Sequence, residues 1–171
     1  MRYPPLKYIL IFIVLVAAQV FVFDKIQLSG FINPYMYVLF ILMLPLDMKG
    51  LWLLLISFFT GISVDFFEQT PGIHAAACVF MGYARPGITR LVGAREATEN
   101  ASYPNIRDLG VLWFFTYTIL LVFLHHLALF FIEAFRFTEF FFTLLKVIIN
   151  TALSTILIMF LEFLFYSRDK R

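Results

Sequence analysis

From Phe140 to Tyr166 the only charged side chains are Lys146 and Glu162, and every other position around the helical circle is apolar or neutral. A run of that length and character exceeds the ~20 residues that a helix needs to cross a bilayer. Five further apolar stretches precede it: Tyr8–Phe23, Pro34–Leu46, Gly50–Val64, Gly72–Ala84 and Leu109–Ile132. Their sum is visible in the composition, 62% hydrophobic and 14% charged over 171 residues, with a mean hydropathy of +0.91. Soluble domains run near ~45–50% apolar and ~25% charged, and one this small has too little interior to hide the excess. Intrinsic disorder is excluded for the same reason. The stretches lack the alternation of barrel strands, so they read as helices. The expected fold is an all-α integral membrane protein of one domain, residues 1–171. Its six transmembrane helices fall at about 8–23, 30–46, 50–66, 72–92, 109–132 and 140–166, with a cytoplasmic loop at about 93–108. The second is extended back through Gly30, and the fourth forward past Arg85, whose long side chain can snorkel.

The basic residues orient this map. With the N-terminus inside and six crossings, Arg2, Lys7, Lys49, Arg85, Arg90, Arg95, Arg107, Arg168, Lys170 and Arg171 lie on the cytoplasmic side. Only Lys25 and Arg136 lie outside, and Lys146 sits within a span, which accounts for all 13 Lys and Arg. The positive-inside rule therefore places both termini in the cytoplasm. A re-entrant hairpin of the third and fourth stretches, tipped near Asp65–Pro71, would leave the loops on the same sides. The first stretch reads as a retained span rather than a cleaved leader, because its apolar run continues past Ala18 to Phe23.

Chemistry-bearing motifs are scarce. There is no glycine-rich phosphate loop, no HExxH, no CxxC and no GxSxG. His125 and His126 are adjacent on a helix, about 100° apart, and do not converge on one metal. Cys78 lies in an apolar run and reads as a buried filler. No cofactor, metal, catalytic group or nucleic-acid contact is expected. The sequon at Asn100 falls on the cytoplasmic side, where it would not be glycosylated.

Polar residues inside apolar stretches are the informative positions. Lys146, Asn150 and Ser154 recur every four residues and share one helix face, which should pack inside the bundle, either as interhelical hydrogen bonds or as a substrate or partner contact. Gln19 should hydrogen-bond a neighbouring helix. Ser57 and Gly61, Gly72 and Ala76, and Cys78 and Gly82 are pairs of small residues at the spacing that lets membrane helices approach closely. Between the third and fourth stretches, Asp65 can cap a helix end, Pro71-Gly72 breaks the chain, and His74 opens the next helix. Asp65 and His74 should form one structural unit.

This stretch resembles the signature of the rod shape-determining protein MreD family. Gly61, Asp65, Gly72, His74 and Ala75 fall on it in register, and Ser57 stands where the family often has glycine. Gln19 late in the first span, then Gly30 and Pro34 before the second, agree with the family order, as do the size and span number. The resemblance implies a non-catalytic inner-membrane component of the bacterial cell-elongation complex. Its implied partners are a MreC-like protein foremost, then MreB, RodA and the elongation transpeptidase, in the lipid bilayer. It also implies a fold resembling the substrate-binding subunits of energy-coupling-factor vitamin transporters. Such a subunit is the alternative function. Against it, Ala17 and Ala18 are adjacent, and the first helix lacks the Ala-x-x-x-Ala pair by which those subunits dock.

Overall fold

The computed structural model describes residues 5–26, 32–93, 101, 103–135 and 140–168. Gly30, Arg95, the sequon at Asn100 and Arg136 lie outside the described residues. All regular structure among the described residues is helical: α1 (Pro5–Phe21), α2 (Val38–Leu42), α3 (Gly50–Glu68), α4 (Ile73–Val92), α5 (Ile106–Leu109), α6 (Val111–Ala134) and α7 (Phe140–Arg168). A 3-10 turn, Phe23–Ile26, follows α1. Among the described residues, four segments are long and apolar enough to cross a membrane: Leu6–Lys25, Gly50–Glu68, Val111–Ala134 and Phe140–Leu164. Helix α4 has the length, 20 residues, but carries Arg85, Pro86 and Arg90 in its second half.

The helices alternate in direction. Phe21 of α1 meets Phe67 of α3 with ring centroids 6.4 Å apart, so the two C-terminal ends lie together. Helix α4 returns antiparallel to α3. Helices α6 and α7 are likewise antiparallel, with Phe131 against Phe140 at 5.4 Å. One end of the bundle therefore gathers Asp24, Glu68 and Glu133, with Lys25 and Lys146 beside them. The other gathers exposed Lys7, Lys49, Arg90 and Arg107, with Asp47 and Asp108 beside them. These are called the acidic and basic ends below.

Close approach of α3 and α4 rests on two glycines. A Cβ on Gly61 would overlap the Ala75 Cα and the His74 carbonyl oxygen, so backbone meets backbone there. A Cβ on Gly82 would lie 2.5 Å from Ser57 Oγ. Gly72 corrects the expected Gly72/Ala76 packing pair. Nothing lies within 4 Å of a Cβ at Gly72, whose φ is +84°. Ala76 is exposed. Gly72 serves the left-handed backbone of the turn, a conformation that a side chain disfavours.

The second apolar stretch departs most from expectation. Within 30–46 only Val38–Leu42 is helical. Two prolines explain this. Pro34 and Pro45 bracket the stretch, and each disfavours helical backbone at the residue before it and has no N–H to give. Non-helical backbone at membrane depth survives only where protein surrounds it. Residues 34–42 are all buried, with Tyr37, Val38, Ile41 and Leu42 fully so. The interrupted segment is thus the core around which α1, α3, α4, α6 and α7 pack. The segment expected as a cytoplasmic loop at 93–108 includes α5, capped by Asn105, whose side chain accepts from the Asp108 amide at 2.8 Å.

Candidate functional site: a buried polar core

Each backbone N–H of Asn33–Met36 finds a side-chain acceptor from another element. Asn33 donates to Asn150 Oδ1 at 2.7 Å, Tyr35 to Ser154 Oγ at 3.0 Å, and Met36 to Gln19 Oε1 at 2.7 Å. Pro34, between them, is buried and has no hydrogen to place. Gln19 uses its amide nitrogen on Asp24 Oδ1 at 2.8 Å, and Asn150 donates back to the Lys146 carbonyl at 2.8 Å. In hydrocarbon a bare amide costs several kcal/mol, so these contacts decide whether the segment can exist.

Arg85 does the same for the carbonyls at the other end of α2. Its guanidinium donates to the Leu44 carbonyl, to Pro45 O at 3.1 Å, to Leu42 O at 3.4 Å, and to the Tyr117 hydroxyl at 2.6 Å. Tyr117 in turn donates to Leu42 O at 3.1 Å. This corrects the expected snorkelling Arg85: its side chain is buried against α6 and the residues that follow α2 rather than extended along the surface. The five donors of the planar guanidinium suit a cluster of carbonyls that a lysine could not span.

The α3–α4 turn forms the unit expected of Asp65 and His74, with more partners than the sequence suggested. Asp65 accepts from the Thr70 hydroxyl, from the His74 amide at 3.1 Å, and from the Ala75 amide at 2.8 Å. The carboxylate thereby caps α4 from the preceding helix and satisfies two of its free N–H groups. The His74 ring faces the other way. Its Nε2 lies 2.8 Å from Glu68 Oε2, and its Nδ1 lies 2.9 Å from the Tyr37 hydroxyl. That hydroxyl also meets His125 Nε2 at 2.8 Å. Tyr35 fills the space beside them, with its ring against His74, His125, His126 and Phe130. His126 pairs with Thr151 at 3.1 Å.

Of the expected site residues, Gln19, Pro34, Asp65, His74 and Asn150 meet in or beside this core, while Gly61 and Gly72 shape the turn that delivers His74. Ser57 lies deeper along the α3–α4 seam, buried, its hydroxyl unpartnered. Lys146 stands apart at the acidic end, 3.1 Å from Glu133 and 4.4 Å over the Phe130 ring. Sequence reasoning missed Tyr37, Glu68, Tyr117 and the role of Arg85. The available signal was the Pro34/Pro45 bracket, which demands polar partners on the surrounding helices.

The molecule these observations define is helical among the described residues, with four segments long and apolar enough to cross a membrane and an interrupted segment buried at its centre. No family model, no curated protein and no solved structure matches the chain.

Proposed function

We propose that this chain is a MreD-like, non-catalytic component of the bacterial cell-elongation complex, acting by holding a MreC-like partner in the inner membrane. The observation that carries the reading is the hairpin signature. Gly61, Asp65, Gly72, His74 and Ala75 occur in the family's order and meet at one turn, where Gly61 lets the backbones touch, Gly72 takes the left-handed conformation, and Asp65 accepts from the His74 and Ala75 amides. A set of residues bound together by such tasks is a more specific likeness than glycine-rich helices alone. The orientation proposed with it has six crossings and both termini in the cytoplasm. The gathering of exposed Lys7, Lys49, Arg90 and Arg107 at the basic end supports that orientation.

In this reading MreB, RodA and the elongation transpeptidase are fellow members of the complex, and lateral wall synthesis is the process served. Contact with the MreC-like protein is largely helix to helix, through tight packing and a few hydrogen bonds. Depletion in a rod-shaped host should turn growing cells round, and the purified chain should not turn over lipid-linked wall precursors by itself. Normal rods after clean deletion, with no second copy present, would overturn the assignment. Tight binding of a vitamin would favour the transporter-subunit alternative.

A further inference from the structure

Helix α1 lies at the edge of the bundle. Of residues 6–21 only Val16 and Gln19 are buried. Polar contacts at its C-terminal end tie it down. Gln19 accepts from the Met36 amide at 2.7 Å and donates to Asp24 Oδ1 at 2.8 Å. Asp24, on the 3-10 turn, is in hydrogen-bonding contact with Glu68 at the end of α3. Glu68 Oε2 lies 2.8 Å from Nε2 of His74, at the start of α4. Phe21 on Phe67 holds the same two helix ends together. One line of contacts, Met36, Gln19, Asp24, Glu68, His74, thus joins the buried segment, α1, α3 and α4.

The donors decide the charge of this line. An ionised carboxylate only accepts, so two of them in contact repel and have no hydrogen between them. Glu68 Oε1 is buried, and no N–H reaches it. Oε2 already faces the His74 N–H, which favours an ionised Glu68. Asp24 has only the neutral Gln19 amide, on Oδ1. The hydrogen between the carboxyls therefore belongs to Asp24, whose second oxygen donates it to Glu68 Oε1. His74 serves in either charge state, since a neutral ring with its hydrogen on Nε2 and a protonated ring both donate there. Asp24 is half-buried and exchanges its proton directly with water at the acidic end. Lys25 follows it on the same turn. Tyr35 of the buried segment and His74 lie near, and Glu133 of α6, paired with Lys146 of α7, faces Tyr35. Between about pH 8 and about pH 5, only Asp24, Glu68 and His74 among these lie where a proton can be gained or lost.

We propose that Asp24 and Glu68 form an acid-closed clasp, in which Asp24 takes one proton from water, donates it to Glu68, and so fastens the end of α1 to α3 and α4. Loss of that proton leaves two carboxylates in contact and drives the ends apart. The clasp needs no proton transfer through the protein. An Asp24 released from the pair ionises in the ordinary carboxylate range, near ~4. Docking of α1 therefore binds a proton, and it strengthens as pH falls. The gain is complete below about pH 4, where both forms are protonated, and is lost as pH rises through the value at which the docked pair ionises. Because Gln19 holds Asp24 and the Met36 amide together, opening also loosens the buried segment. The clasp stands on these contacts and not on the cell-elongation reading.

Infrared spectra of the full chain in lipid nanodiscs, from about pH 8 to about pH 4, follow its 11 Asp and Glu carboxyls as they gain protons. Thermal melting of the same samples follows docking. In the wild type one carboxyl should gain its proton well before the others, and the melting temperature should rise over the same interval. Asp24→Asn keeps the shape, accepts from Gln19 and donates to Glu68 at every pH. It should abolish the early carboxyl signal and hold the acid-form stability throughout, so the gap to wild type widens as pH rises. Glu68→Gln should return Asp24 to the ordinary carboxylate range. An early carboxyl that persists in Asp24→Asn overturns the clasp. So does a melting response that is the same in wild type and Asp24→Asn, which would belong to His74. If Asp24→Asn fails to fold, Glu68→Gln decides, since an early carboxyl left unmoved there overturns the pairing.

Discussion

A carboxamide or hydroxyl within a membrane helix is worth keeping only if it answers a group that lipid cannot. Gln19, Asn150 and Ser154 each answer one N–H of the interrupted segment. Removing one partner of a buried hydrogen bond costs about 1–3 kcal/mol, because the other group is left bare. Gln19→Leu, which keeps the bulk, should lower stability by roughly that amount in detergent unfolding. Arg85→Met, which leaves the Leu44 and Pro45 carbonyls without their donor, should cost more than Gln19→Leu. Equal stability of Arg85→Met and wild type would show that these carbonyls find water instead. Gln19, Asn150 and Ser154 were legible in the sequence as polar residues on interior faces. Their partner was not, because a backbone N–H has no letter of its own.

The helix pair α3–α4 was the most legible element. Gly61 and Gly82 announced close packing, and Asp65 announced a cap. Gly72 looked alike in the sequence but has a different task, since small size and left-handed backbone share one residue type. The second stretch misled for a related reason. Its apolar side chains fit a membrane helix, whereas its two prolines fit an interruption, and hydropathy alone weighs only the first. Glycine substitutions separate these cases. Gly61→Ala should lower stability by about 3 kcal/mol or more, because backbone rather than a flexible side chain stands in the way. Gly87→Ala, where a Cβ would meet nothing within 4 Å, should be neutral or slightly stabilising within α4. Matched melting temperatures for the two variants would refute the backbone contact.

At the scale of the whole molecule, the outside is broadly apolar, with Leu6, Ile13, Phe59, Phe141 and Phe160 among the exposed side chains, and the interior is an apolar core threaded by buried polar groups such as Gln19, Arg85 and Asn150. Such an exterior suits a lipid environment, and the apolar helices that the composition implied are present: among the described residues, four are long and apolar enough to cross a membrane. The charge asymmetry of its ends carries the proposed orientation. Reporter fusions at Arg171 and within the 90–100 segment should both report cytoplasm, and a periplasmic signal at either would break the six-crossing map. The central claim is that the molecule works by binding a partner in the bilayer. Crosslinking in native membranes, followed by purification through this chain, tests it most directly. We expect a MreC-like protein to be recovered in near-stoichiometric amount, and its recovery to fall with Gly61→Ala. Recovery of a pair of transporter ATPases, with no MreC-like protein, would contradict the account.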